Sequence, residues 1–262
     1  LPFGLGNCVF KLHLSAIKKE NFNLAVKQNI PNFITLINLF MGCCALASVL
    51  YGQFVQAFFF SLAGGVADYL DGTFARVLKV KSPLGGQLDS LADMVSFGVV
   101  PGAILYMLLV KGFSGREVLP IELTLAASPA FLVTLFAALR LAIFNLDTRQ
   151  TQDFIGMPTP ACAAFAVGLM LIYHYDSYGL ADFVINPLFV YPLIPVLCWL
   201  MVSSLPMFSL KFKNLAWKGN EIRFTFAAIT AAMIALLKEA AFSPIIAVYV
   251  LFSAICKKKD DI

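Results

Sequence analysis

Four of the fifteen acidic residues fall in one short segment: Asp68 and Asp71, three apart, and Asp89 and Asp93, four apart. On helices each pair shares a face, because residues three and four apart are surface neighbours. Gly72, Ala75 and Arg76 continue the first face, and Gly85 and Ser96 flank the second. Between the pairs, Arg76, Lys79, Lys81 and Pro83 mark a short basic turn, which makes the two helices antiparallel and lets their acidic faces meet. Four converging carboxylates repel one another, and no equal set of cations lies nearby in the sequence. The arrangement therefore asks for bound metal. An all-oxygen donor set suits Mg²⁺ or Mn²⁺, with Ca²⁺ as a further fit, rather than zinc, and four carboxylates suit two such ions. Gly72 and Ala75 leave room for a flat or bulky ligand against the helix backbone, while Arg76 offers a planar fork to phosphate. Together these residues describe a site for a metal-bound nucleotide diphosphate. Two other readings of the cluster are a helix pair held by a cation without chemistry and the ion site of a transporter. A transporter predicts inverted repeats and interrupted helices, and the cluster has no counterpart in the second half of the chain.

The elements that must position these residues are apolar. The 262 residues are 60% hydrophobic and 13% charged, with a mean hydropathy of +0.84, whereas soluble domains carry about 25% charged residues. That balance excludes a water-soluble globule and predicts an all-α, polytopic membrane bundle. No charge interrupts the stretch between Lys27 and Asp68, which is too long for one crossing at about 20 residues, so Tyr51-Gly52-Gln53 is read as a turn between two spans. Further spans follow at about Gly85–Val110, Ile121–Phe144, Pro160–Tyr173 and Pro187–Phe208, then Arg223–Leu237 and Phe242–Cys256. The reading is about eight transmembrane helices with a six-helix core, residues 30–208. A basic N-terminal segment, residues 1–29, precedes the core and is a candidate amphipathic helix on the membrane surface. Two more helices and a basic tail, residues 209–262, follow it.

With eight crossings, one side receives Lys11, Lys18, Lys19, Lys27, Arg76, Lys79, Lys81, Arg140, Arg149, Lys211, Lys213, Lys218, Arg223 and the Lys257-Lys258-Lys259 tail. The other receives Lys111, Arg116 and Lys238. By the positive-inside rule the first side, with both termini and the acidic site, is cytoplasmic. The net charge of +4 is thus topogenic and implies no nucleic-acid partner. Asp68 precedes Arg76 by two helical turns, which sets the carboxylates roughly 12 Å below the interfacial arginine, just inside the cytoplasmic leaflet. The six cysteines lack metal-ligand spacing and read as packing residues.

At the acidic segment the chain resembles the CDP-alcohol phosphotransferase family, whose signature is D-x-x-D-G-x-x-A-R, eight residues, then G-x-x-x-D-x-x-x-D. Asp68, Asp71, Gly72, Ala75, Arg76, Gly85, Asp89 and Asp93 fill every position. Three further stretches resemble the branch of that family in which CDP-diacylglycerol is the donor and L-serine the acceptor. They are Ile30-Pro31-Asn32 with Thr35-Leu36 and Asn38-Leu39-Phe40; Ser96-Phe97-Gly98 with Pro101; and Leu139-Arg140-Leu141-Ala142 with Phe144-Asn145 and Phe154–Pro160. Met94 stands where glycerophosphate- and inositol-phosphate-using relatives usually carry Lys.

The resemblance implies a homodimeric membrane enzyme, in a bacterial-type inner or plasma membrane, that transfers the phosphatidyl group and releases CMP. It implies two divalent metals on Asp68, Asp71 and Asp89, with Asp93 completing the second site and acting as general base. It also implies that CDP-diacylglycerol contacts Asp68, Gly72, Ala75, Arg76 and Gly85. A serine acceptor brings a carboxylate that needs a cation, and Arg140, Asn145 and Arg149 are the candidates. An arginine as deep as Arg140 either lines a polar cavity or snorkels to the surface. Glycerol 3-phosphate and inositol phosphate remain the alternative acceptors.

Overall fold

The computed structural model describes residues 27, 29–80, 82–115, 124–146, 154–207 and 220–260. The expected N-terminal amphipathic segment, Arg149 and the lysines at 211, 213 and 218 lie outside the described residues.

The uncharged stretch after Lys27 folds as two helices, α1 (Asn29–Leu50) and α2 (Phe54–Val77). The break falls at Tyr51–Gln53, where Gly52 takes a φ of 71° and the amide of Gln53 returns to the Ser48 carbonyl at 2.8 Å. A left-handed residue at a helix end favours glycine, which has no Cβ to clash there. After the turn that follows α2, Ser82 caps α3 (Pro83–Asp93) by accepting from the Gly85 amide at 3.3 Å, and Pro83 opens the helix. Both residues suit a helix start: the hydroxyl satisfies an orphan amide and proline has none to satisfy.

From α3 the chain continues without a break through a π-helical segment, Met94–Val99, into α4 (Val100–Ser114). The whole run spans 32 residues. Every residue from Val100 to Lys111 is buried, so α4 is the central rod, a helix apolar on all sides and covered on all sides. A 3₁₀ turn, Leu125–Phe131, leads into α5 (Leu132–Leu146). There follow α6 (Thr159–Tyr175), a short α7 (Ala181–Val184), α8 (Pro187–Val202), α9 (Glu221–Leu237) and α10 (Phe242–Asp260). A two-residue antiparallel pair, β1 (Phe154–Ile155) with β2 (Pro206–Met207), ties the entry of α6 to the exit of α8.

The π segment sets how closely α5 approaches. Its irregular hydrogen bonding is answered from outside, because the Thr134 hydroxyl of α5 donates to the Gly98 carbonyl at 2.9 Å. A Cβ on Gly102, one turn further, would collide with the same Thr134 hydroxyl. Gly102→Ala is therefore expected to lower the melting temperature of the detergent-solubilised protein, with a cost of about 1–3 kcal/mol typical of overpacking. Gly86→Ala, where an added Cβ meets nothing within 4 Å, is expected to raise it by removing a helical glycine. Equal responses of the two variants would sink this account of the contact.

Each of the eight apolar segments read from the sequence overlaps a helix among the described residues. Four helical runs are long and apolar enough to cross a membrane: Asn29–Leu50, Pro83–Ser114, Leu125–Leu146 and Glu221–Ala254. The last is not one rod. Lys238 adopts a φ of 49°, and the ring of Phe226 on α9 lies 5.9 Å from that of Tyr249 on α10. Two residues nearly equidistant from the break can meet only if the helices fold back on each other. The segment expected to run from Pro187 to Phe208 ends as a helix at Val202. The backbone turns extended at Ser203 and enters β2 at Pro206, whose missing N–H cannot continue a helical ladder.

Candidate metal and phosphate site

The helix faces read from the sequence do converge. Asp68 and Asp71 on α2 and Asp89 on α3 each offer a carboxylate oxygen, and the three oxygens lie within 4.8 Å of one another. Asp71 is only 5% exposed, and the Asp93 carboxyl is within hydrogen-bonding reach of Asp68. Asp93 closes α3 where the helix passes into its π segment. That wider turn continues the carboxylate-bearing helix into a stretch that other helices hold in place.

Helix α1 supplies neutral partners that were quoted in the sequence for resemblance but assigned no role. The Thr35 hydroxyl donates to Asp71 Oδ2 at 2.5 Å. Asn38 Nδ2 reaches Asp93 Oδ1 at 3.5 Å, while Asn38 Oδ1 accepts from the Ser96 hydroxyl at 2.7 Å. Gly42, one turn on, has no room for a Cβ against Ser96. Thr35, Asn38 and Gly42 follow a three-and-four spacing along one face of an otherwise apolar helix, a pattern that would have singled them out.

The donor set fits a hard divalent cation. It is all oxygen, its members converge on one point, and among the described residues no Lys or Arg forms an ion pair with any of the four carboxylates. Carboxylates at membrane depth cost several kcal/mol each without such neutralisation.

Two cavities open on this cluster. The first, of about 340 Å³, is lined by Asp71, Asp89, Gly72, Ala75, Gly85 and Asn32 among others. Arg76 lies exposed at its edge, its guanidinium bonded to the Thr73 hydroxyl at 3.1 Å and folded toward Gly72. At Gly85 an added Cβ would stand 2.7 Å from Asn32 Oδ1, so glycine there lets α3 close on α1. The second cavity, also about 340 Å³, starts at Asp68 and is walled by apolar side chains including Phe58, Val66, Phe97, Val167 and Phe242. Asp71 and Asp89 thus line a polar chamber, while Asp68 of the same cluster lines an apolar groove.

The three cation and amide candidates part company. Arg140, midway along α5, is 7% exposed, its Nε has no hydrogen-bond partner, and it forms no ion pair among the described residues. Its guanidinium sits within electrostatic reach of Tyr249, Asp93 and Cys162. This side chain points inward and does not snorkel. Asn145 instead lies exposed at the end of α5, where its amide donates to the Ser90 hydroxyl at 2.9 Å and ties α5 to α3. Arg149 lies outside the described residues.

A helical bundle with membrane-length apolar runs, carrying an oxygen-only carboxylate cluster that could hold a cation, belongs to the class of membrane-embedded helical proteins. The chain is a member of the CDP-alcohol phosphatidyltransferase family, which it matches over residues 28–203. Its curated relatives include a CDP-diacylglycerol--serine O-phosphatidyltransferase of Helicobacter pylori, 37% identical over 150 residues that make up 55% of this chain and 60% of the relative. The enzyme of the same name from Bacillus subtilis is 34% identical over 145 residues, 55% of this chain and 77% of the relative. That of Saccharomyces cerevisiae is 32% identical over 167 residues, 58% and 56% respectively. The chain thus spans 60% of the length of the Helicobacter relative it matches.

Proposed function

We propose that this chain is a phosphatidylserine synthase, transferring the phosphatidyl group of CDP-diacylglycerol to the hydroxyl of L-serine and releasing CMP. The observation that carries the acceptor is Arg140: a buried guanidinium whose Nε has no hydrogen-bond partner and which forms no ion pair among the described residues, within electrostatic reach of Asp93. The names of the relatives support the same donor and acceptor.

In this reading Asp68, Asp71 and Asp89 hold divalent metal, with Asp93 completing a second site. Bound Mg²⁺ or Mn²⁺ would neutralise the diphosphate and polarise the reacting phosphorus. Gly72, Ala75 and Gly85 leave space for the cytidine and its phosphate in the polar chamber, and Arg76 at its edge pairs with phosphate. The apolar groove beside Asp68 takes acyl chain. Arg140 grips the serine carboxylate and turns the hydroxyl toward Asp93. In serine those two groups are separated by two carbons, so one small molecule can engage both residues. Asp93 accepts the hydroxyl proton as the serine oxygen bonds to the phosphorus bearing diacylglycerol. The bond from that phosphorus to the CMP oxygen breaks, and CMP leaves as the anion. Asn38, bonded to Asp93 and held by Ser96, keeps that carboxyl aimed.

The same reading sets the protein in a bacterial-type membrane with eight crossings and the site facing the cytoplasm. Charge placement supports it: Arg76 and Lys79 lie at the α2–α3 turn, and Lys111 at the far end of the rod that α3 begins. Homodimerisation rests on family resemblance. Gly64, one of the small residues suited to such packing, faces Asn38 of its own chain.

The test is CMP release from CDP-diacylglycerol and Mn²⁺ or Mg²⁺, with L-serine, glycerol 3-phosphate and inositol phosphate supplied separately. Release with serine alone, lost on chelation and restored by added metal, is the expected result. Release with another acceptor would keep the carboxylate chemistry and overturn the serine assignment.

A further inference from the structure

The α9–α10 hairpin lies beyond the segment matched to the family, residues 28–203, yet it completes the apolar groove that begins at Asp68. The long walls of that groove belong to α2 and α6. Phe54 of α2 meets Tyr173 of α6 with their rings 5.6 Å apart, and toward the other end of both helices Asp68 and Pro160 line the groove together, so the two helices run antiparallel along it. Phe58 precedes Asp68 by ten residues, which is roughly 15 Å of helix. There the groove closes: the Phe58 ring packs edgewise against Phe242 of α10 at 5.6 Å, and both rings line it. Phe242 is held in place by its neighbour, since Ser243 donates to the Phe165 carbonyl of α6 at 2.8 Å. Gly168 on α6 permits this approach, because an added Cβ would strike the Ser243 amide and come within 2.9 Å of Phe242. Ala163 and Ala164 keep the middle of the groove wide. Leu62, Val66 and Tyr69 along its α2 wall are exposed, so it opens sideways.

We propose that Phe242 is a specificity residue for the lipid donor: with Phe58 it forms a floor that a long straight acyl chain meets and a short or bent one avoids. This rests on the reading above, in which the groove takes acyl chain, and deepens it by naming the shape of that chain. The occupant follows from continuity. The groove starts at a carboxylate of the cation cluster, so a ligand whose charged end sits at the cluster lays its apolar end here. An extended carbon chain advances about 1.2 Å per bond, as an extended polypeptide does, and roughly a dozen carbons therefore reach the floor. A longer saturated or trans chain runs into the two rings and must leave through the open side by bending. A cis double bond near mid-chain supplies that bend in advance, and a short chain needs none. The rings do not yield cheaply, because a close-packed interior answers added volume with strain.

The experiment measures CMP release by the intact chain in mixed detergent micelles, with Mn²⁺ and with CDP-diacylglycerol bearing oleoyl, elaidoyl or decanoyl chains. Oleoyl and elaidoyl chains are equal in composition and differ only in the cis or trans geometry of one double bond. The wild type is expected to favour the oleoyl and decanoyl donors over the elaidoyl donor about tenfold in kcat/KM, the low end of what an apolar pocket achieves against a misfitting chain. Phe242→Ala should erase that preference. Ala164→Leu, which narrows the groove at mid-length, should enlarge it, and decides the matter if Phe242→Ala does not fold. Leu251→Ala, on an exposed face of α10, should match the wild type. Equal use of oleoyl and elaidoyl donors by the wild type, or a preference that neither folded groove variant alters, overturns the role of Phe242 alone. Failure of the wild type to release CMP from any of the three donors, with serine, glycerol 3-phosphate or inositol phosphate, overturns the transferase reading and this role with it.

Discussion

Asp93→Asn is expected to cut CMP release about a thousandfold, within the range that a positioned general base contributes, while the protein stays folded and keeps a stabilising response to Mn²⁺. The substitution preserves the shape of the side chain and its neighbours, so Asn38 and Ser96 still hold the end of α3. What it removes is a carboxylate able to take the acceptor proton. The three oxygens of Asp68, Asp71 and Asp89 that converge within 4.8 Å are untouched, which is why a metal-dependent rise in melting temperature should persist. Asp71→Asn is the counterpart: it weakens that cluster directly, and the Mn²⁺ response should shrink along with activity. Retention of more than about a tenth of wild-type turnover in Asp93→Asn would be too much for a lost general base, and would move the proton acceptor elsewhere.

Arg140→Met should produce opposite signs in two measurements. Serine use is expected to fall about a hundredfold in kcat/KM, because a buried charge-assisted pair with the carboxylate is lost, while the KM for CDP-diacylglycerol stays the same. At the same time the melting temperature of the ligand-free protein should rise. A guanidinium that is 7% exposed, with an Nε lacking a hydrogen-bond partner and no ion pair among the described residues, is a standing cost, and an apolar side chain of similar length removes it for a gain of about 1–3 kcal/mol. A group retained against its own folding cost is the signature of a binding residue. Lowered stability with both substrates equally impaired would make Arg140 a structural residue instead.

Much of the site was legible in the chain because it is local. The spacing of Asp68 with Asp71 and of Asp89 with Asp93, and the basic turn between them, fixes two helix faces and their antiparallel approach. Covalent geometry leaves few other ways to place residues three and four apart. The apolar segments were legible for the same reason, since each is a continuous run. Boundaries were less so: the helix expected to reach Phe208 stops at Val202, where Ser203 and Pro206 outweigh a run of apolar residues. The short β1–β2 pair left no periodic signal, being two residues long on each side.

By itself, then, the sequence determined the carboxylate cluster and the helices that carry it, because both follow from residue type and near-neighbour spacing. The tertiary structure alone decided which distant groups face that cluster. It brought Thr35 and Asn38 to the aspartates and turned Arg140 inward and Asn145 outward to Ser90. Arg140 and Asn145 lie on one helix and looked alike as candidates. Their separation depends on what packs against each side of α5, and contacts between helices far apart in the chain are set by the fit of whole surfaces, which no local spacing encodes.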